Sequence, residues 1–180
     1  MKPAVFFDRD GTLIESVHYL NRPEQVALID GVPEMLNELK AAGYLRIIVT
    51  NQAAIEKGLL TVDGLKQIQR RLDELLAQHD ADIDGWYYSP AARLSDDDET
   101  IDFPDRKPGP GMLLQAAEDF GIALEESWMV GDRLSDALAG KNAGCRASII
   151  IDAGGTPEHP AIDHLLASID QVNSIILGNR

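Results

Sequence analysis

Apolar positions in this chain fall into two alternating patterns: short continuous runs, and stripes that repeat every three to four residues. The first run, Ala4-Val5-Phe6-Phe7, reads as a buried strand. Residues 13–30 keep no clear period and read as an extended loop or flap. Gly31-Val32-Pro33 then opens a helix with Val32, Met35, Leu36 and Leu39 on one face and Gly43 as its stop. Leu45 to Val49 is a second strand, ending at Thr50-Asn51-Gln52. Thr61 to Gln78 carries Leu65, Ile68, Leu72, Leu75 and Leu76 on one stripe and predicts a second helix. Gly85 to Ser89 is a third strand, and residues 90–106 have no apolar period and form a loop. A third long helix runs from Pro110 to Phe120, halted by Gly121. Ser127 to Val130 is a strand ending at Gly131-Asp132, a helix follows from about Ser135 to Asn142, and Ala147 to Ile151 is a strand. Beyond Gly154-Gly155-Thr156-Pro157 a last helix is expected from Ala161.

This alternation predicts an α/β fold: a doubly wound parallel sheet between two helical layers, with the first strand central. With no internal repeat or linker, residues 1–180 read as a single domain.

Composition narrows the function. No apolar run approaches the ~20 residues of a membrane span, and Met1-Lys2-Pro3 leads straight into a strand, so a cytoplasmic protein is expected. One cysteine, Cys145, excludes an internal disulfide and any cysteine-based zinc cluster, and it reads as a buried thiol. The net charge of -14 argues against nucleic acid or an anionic membrane as partner, since both need a positive field. A small anionic substrate stays compatible if cations cluster locally, and an acidic protein suits Mg²⁺.

The strand ends carry the chemistry. In an open α/β sheet ligands bind beyond the carboxyl ends of the strands. Asp8 and Asp10 leave the first strand there, with Gly11 to turn the chain. Thr50-Asn51 offers a hydroxyl, an amide and backbone N–H groups at the second strand end. Arg106-Lys107-Pro108 sets two cations before a proline, and Gly131-Asp132-Arg133 precedes Asp136 on the first turn of a helix. Each motif alone has a plainer reading as a turn, a solvated pair or a helix cap. Together, Asp8, Asp10 and Asp132 make a hard oxygen site for Mg²⁺, while Lys107, Arg106, Arg133 and Thr50 can neutralise a phosphoryl group. An aspartate nucleophile and a second acid two residues on would split phosphoester hydrolysis into two displacements.

In this order, Asp8-x-Asp10-Gly11-Thr12, Thr50, Lys107 and Gly131-Asp132-x-x-x-Asp136 resemble the haloacid dehalogenase (HAD) superfamily. The resemblance implies Asp8 as nucleophile and Asp10 as general acid/base. Mg²⁺ would be held by Asp8, the Asp10 backbone carbonyl and Asp132. Thr50 and Lys107 would grip the phosphate, with Asp136 orienting Lys107 from behind. Ile29-Asp30-Gly31-Val32, Thr50-Asn51-Gln52 and Arg106-Lys107-Pro108-x-Pro110-Gly111-Met112 are similar to the branch of heptose bisphosphate phosphatases and histidinol phosphatases. That likeness implies substrate contacts from Ser16, Val17, His18 and Tyr19, from Thr50, Asn51, Gln52 and Ala53, and from Arg106, Lys107 and Arg133.

Three departures stand out. Ser89, Ala91, Phe103 and Asp105 occupy the positions of that branch's zinc ligands, so no zinc is expected. Ala53-Ala54 replaces Ser-Gly, and Arg133 replaces a lysine. The span from Asp8 to Thr50 and the loop 90–105 leave no room for a large cap, predicting an open site for a small phosphorylated metabolite. Histidinol phosphate is the alternative substrate, and a phosphomutase or a non-catalytic phosphoacceptor module the alternative class. His79, His159 and His164 read as surface or turn residues, and Trp86 and Trp128 as core.

Overall fold

The computed structural model describes residues 1–180 except 153, 156, 157, 179 and 180, so Thr156 and Pro157 lie outside the described residues. The elements in chain order are β1 (Ala4–Phe7), α1 (Val32–Ala41), β2 (Leu45–Asn51), α2 (Val62–Ala77), β3 (Gly85–Ser89), α3 (Gly111–Phe120), β4 (Trp128–Gly131), α4 (Leu134–Ala143), β5 (Ala147–Ile151), β6 (His164–Leu166) and α5 (Val172–Gly178). The six strands pair in parallel in the order β3-β2-β1-β4-β5-β6, with β1 inside the sheet as the pattern predicts.

Successive side chains of a strand point to opposite faces, and here both faces are covered. Val5 and Phe7 of β1 pack with Leu36 and Leu39 of α1, Leu65 and Ile68 of α2, and Val172 and Ile176 of α5. Ala4 and Phe6 turn the other way, onto Leu113 and Ala116 of α3 and Ala139 and Ala143 of α4. Burial on both sides is why the strands read as unbroken apolar runs rather than alternating ones. The result is the expected three-layer α/β architecture, and the chain between β1 and α1 builds no separate layer. No helix among the described residues is long and apolar enough to cross a membrane.

Two stretches differ from the sequence reading. The flap after β1 is folded down rather than extended: Leu13, Ile14, Leu20 and Val26 are buried, and Pro23–Gln25 makes a 3-10 turn. The tail has no helix starting at Ala161. Asp163 instead accepts a hydrogen bond from the backbone N–H of Ser148 at 2.8 Å, which draws the tail alongside β5. There His164–Leu166 pairs with Ile149–Ile151 as an edge strand, and the helix begins only at Val172. His164 therefore sits on a strand, its ring 5.9 Å from that of buried Trp128.

Candidate active site

From β1 the chain winds outward through β2 and β3, then returns to lay β4 against the other side of β1. The order of strands thus reverses between β1 and β4, the place where such sheets open a crevice. Asp8 and Asp132 leave these two strands on either side of that point. The Asp8 N–H still donates to the Val130 carbonyl at 2.9 Å, which holds the Asp8 side chain at the strand end. Gly11 turns the chain with φ +84°, and a Cβ there would lie 2.5 Å from Oδ2 of Asp132.

Lys107 reaches into this corner from the loop before α3. Its Nζ lies 2.6 Å from Oδ1 of Asp8 and 2.6 Å from Oδ1 of Asp136, and donates to the Val49 carbonyl at 2.8 Å. Its backbone is clamped by Asn51, whose Oδ1 accepts from the Lys107 N–H at 3.1 Å and whose Nδ2 donates to the Lys107 carbonyl at 3.0 Å. Asn142 of α4 holds the next carbonyl, that of Pro108, at 3.0 Å. Burial works against the ammonium, but Asp136 and Asp8 together outweigh it and the Lys107 pKa is raised.

Asp10 is fixed separately. Arg9 is fully buried, and its Nε and Nη2 grip both carboxylate oxygens of Asp10 at 2.8–3.2 Å. Gln52 Nε2 donates to Asp10 Oδ2 at 3.0 Å and to the Thr50 hydroxyl at 2.9 Å. Sequence reasoning missed Arg9, although a buried arginine needs a partner and an acid stands on either side of it.

Charge accounting shows what this corner lacks. Arg9 cancels Asp10, while Asp8, Asp132 and Asp136 face the buried ammonium of Lys107 and, from the exposed side, only Arg133 at 3.9 Å from Asp132, so negative charge stays in excess. Oxygens of these three carboxylates lie within 4.8 Å of one another. Burial, then the charges of Asp8 and Asp136, push Asp132 up to about 7 against the pull of Arg133 and Lys107. Asp132 Oδ1 is buried with no hydrogen-bond partner among the described residues. Asp136 is already spent: Oδ1 meets Lys107, and Oδ2 accepts from the N–H groups of Asp132 and Arg133 at 3.2 and 3.0 Å. Asp8 and Asp132 therefore keep free oxygens, an all-oxygen donor set that fits a hard divalent cation.

A cleft of about 320 Å³ opens over this corner. Asp8, Asp10, Lys107 and Asp136 form its floor. Ser16, Val17, His18 and Tyr19 line it from the flap, and Asn51, Gln52 and Ala53 from the end of β2. Arg106 and Arg133 line it as well. Thr50 is 1 % exposed and lies beneath the cleft rather than in its lining, its hydroxyl accepting from Gln52 Nε2 at 2.9 Å. The structure adds residues the sequence did not single out: Arg93, Thr100 and Asp102 of the loop 90–105 reach the same cleft.

Sheet order, reversal point and strand-end acids define a class, and comparison gives the same answer. The chain belongs to the haloacid dehalogenase-like hydrolases, whose family model matches residues 17–144, and it is a phosphatase of that family. It is 42 % identical to the D-glycero-beta-D-manno-heptose-1,7-bisphosphate 7-phosphatase of Pasteurella multocida, over 86 % of this chain and 84 % of that protein. The protein of the same name from Haemophilus influenzae is 37 % identical over 98 % of this chain and 97 % of its own length. Among solved structures, a HAD-like phosphatase from Mesorhizobium loti aligns with a TM-score of 0.81 at 28 % identity, over 98 % of this chain and 85 % of the other. The D,D-heptose 1,7-bisphosphate phosphatase from B. bronchiseptica, complexed with magnesium and phosphate, aligns with a TM-score of 0.82 at 23 % identity over 99 % of both chains, a likeness of fold.

Proposed function

We propose that this phosphatase hydrolyses a small phosphorylated sugar, D-glycero-D-manno-heptose 1,7-bisphosphate, through a phosphoryl group carried on Asp8, with Mg²⁺ as cofactor. The observation that carries the chemistry is the buried corner where three carboxylates face one ammonium beneath the cleft. The names of relatives at 37–42 % identity support the substrate.

On this reading an Asp8 oxygen attacks phosphorus, and the bond from phosphorus to the sugar oxygen breaks. Asp10, entering this step protonated, gives that oxygen its proton and then takes one back from the water that attacks the phospho-aspartate, so it ends the cycle as it began. The Asp8–phosphorus bond breaks, releasing inorganic phosphate and restoring the carboxylate. Lys107 and the Thr50 hydroxyl balance charge on the phosphoryl oxygens, and Asp136 holds Lys107 in place. Mg²⁺, held by Asp8, the Asp10 main-chain carbonyl and Asp132, would neutralise the remaining phosphoryl charge. No zinc enters this reading.

The test is inorganic phosphate release from the heptose bisphosphate in the presence of Mg²⁺, for the native chain and for Asp8→Asn. Rapid turnover by the native chain and none above background by Asp8→Asn is expected. A variant that keeps full activity overturns the nucleophile assignment. Faster hydrolysis of histidinol phosphate moves the substrate to that class, and an isomerised sugar phosphate in place of free phosphate would mark a mutase.

A further inference from the structure

The cleft is also lined by three guanidiniums that the chemistry above does not use. Arg106 and Arg133 stand there with Arg93, which comes from the loop 90–105. Arg106 Nη1 is buried without a hydrogen-bond partner among the described residues. Burial lowers the Arg106 pKa, and the positive charges of Arg93 and Arg133 lower it further against the pull of Asp102 and Glu56. Asp98 pairs with Arg93 at 3.0 Å and Asp132 lies 3.9 Å from Arg133, so Arg106 is the guanidinium whose buried edge is left open to an anion.

Asp97, Asp98 and Asp102 of the same loop line the cleft too, and each is hydrogen-bonded within the loop. Asp97 accepts from the Thr100 hydroxyl at 2.8 Å and from the Glu99 N–H at 3.1 Å. Asp102 Oδ2 accepts from the N–H groups of Leu94 and Ser95 at 2.7 and 3.2 Å. Asp98 accepts from Arg93 Nη1 at 3.0 Å. Glu56, from the segment after β2, accepts the Ala92 N–H and ties the start of the loop across the cleft. Arg93 Nε donates to the Ser95 carbonyl at 2.6 Å. Its head is therefore fixed by two bonds, while Nη2 has no partner among the described residues. A guanidinium held this way loses little freedom when it meets a ligand.

Resting on the bisphosphate reading above, we propose that Arg93 is a specificity-determining residue that binds the second, non-transferred phosphate of the substrate beside Arg106 and Arg133. The free edge of its fork supplies a charge-assisted hydrogen bond to a phosphate oxygen. Asp98 holds Arg93 at that position, and Asp97 and Asp102 hold the loop that carries it.

Steady-state kinetics of Arg93→Met and Arg93→Lys with heptose 1,7-bisphosphate and heptose 7-phosphate test this. For Arg93→Met, KM for the bisphosphate should rise about 10- to 100-fold, the range for deleting one donor to a charged group. The kcat, and both constants for the monophosphate, should not change. Arg93→Lys should recover part of the loss, since it keeps the charge but not the fork. An unchanged bisphosphate KM, or an equal loss on both esters, overturns the role of Arg93. If the native chain prefers the bisphosphate and Arg93→Met keeps that preference, only the Arg93 inference falls. If the native chain shows no preference at all, the bisphosphate reading falls and Arg93 with it.

Discussion

Gly11→Ala should separate the chemistry of this site from its stability. Gly11 sits at φ +84°, where an L side chain costs about 1–2 kcal/mol. At about 2–4 °C per kcal/mol for a chain this size, Tm should fall by about 2–8 °C. The larger effect is steric. The new Cβ would stand 2.5 Å from Asp132 Oδ2 and 3.0 Å from its Cγ, where ordinary contact begins at 3.4 Å, so the carboxylate must retreat about 0.9 Å. A displacement near 1 Å at a reacting centre costs about 100-fold in rate. Gly58→Ala is the matched control, because Gly58 sits at φ +70° with nothing within 4 Å of its Cβ. Both variants should lose the backbone contribution to stability in thermal denaturation, Gly11→Ala at least as much as Gly58→Ala. Only Gly11→Ala should lose phosphatase activity and the rise in Tm with Mg²⁺ that the proposed function expects of the native chain. If Gly11→Ala kept native turnover and the native Mg²⁺ response while losing Tm like Gly58→Ala, Asp132 would have no part in metal binding or catalysis.

Two further outcomes are expected. Arg9→Met leaves Asp10 facing the site with Gln52 as its remaining side-chain donor, and should cost about 3 kcal/mol, the low end for a broken buried pair because Asp10 is 27 % exposed. Urea midpoints at unchanged m-value measure it, and a loss under about 1 kcal/mol would refute the pairing argument. At Cys145, burial pushes the thiol up to about 12, so the folded protein holds little thiolate at pH 8. Iodoacetamide labelling should stay slow until well above pH 10 in the folded chain and follow an ordinary thiol profile, near pH 8.5, in urea. A folded-state profile centred near 8.5 would refute it.

The five strands β1 to β5 were legible because each is an apolar run ended by a polar or turn residue. Their observed bounds differ from the sequence reading by at most two residues. β6 was not, since three half-exposed residues are too few to show a period. The short helix α4 could be located but showed no stripe, because Asp136 to Gly140 are all buried. At the site, the acids stood out by interrupting apolar runs. The supporting contacts did not, because they join residues far apart in sequence: Asn51 reaches Lys107 across 56 positions. Arg93 lies in a loop whose hydrogen bonds leave no trace in hydropathy. Cys145, read as a buried thiol, is half-buried and packed against the core cluster that contains Ala139 and Ala143.

An ammonium has three protons, and Lys107 has already assigned all of them: to Asp8, to Asp136 and to the Val49 carbonyl. Val49 belongs to the sheet and Asp136 to a buried helix turn, so neither can let go cheaply. Asp8 is different, because on the proposed pathway its carboxylate loses its own negative charge when it becomes an acyl phosphate. The one bond Lys107 can release is the bond to the group being transformed, so the lysine can change allegiance from carboxylate to phosphoryl oxygen without any other atom of the corner being rearranged.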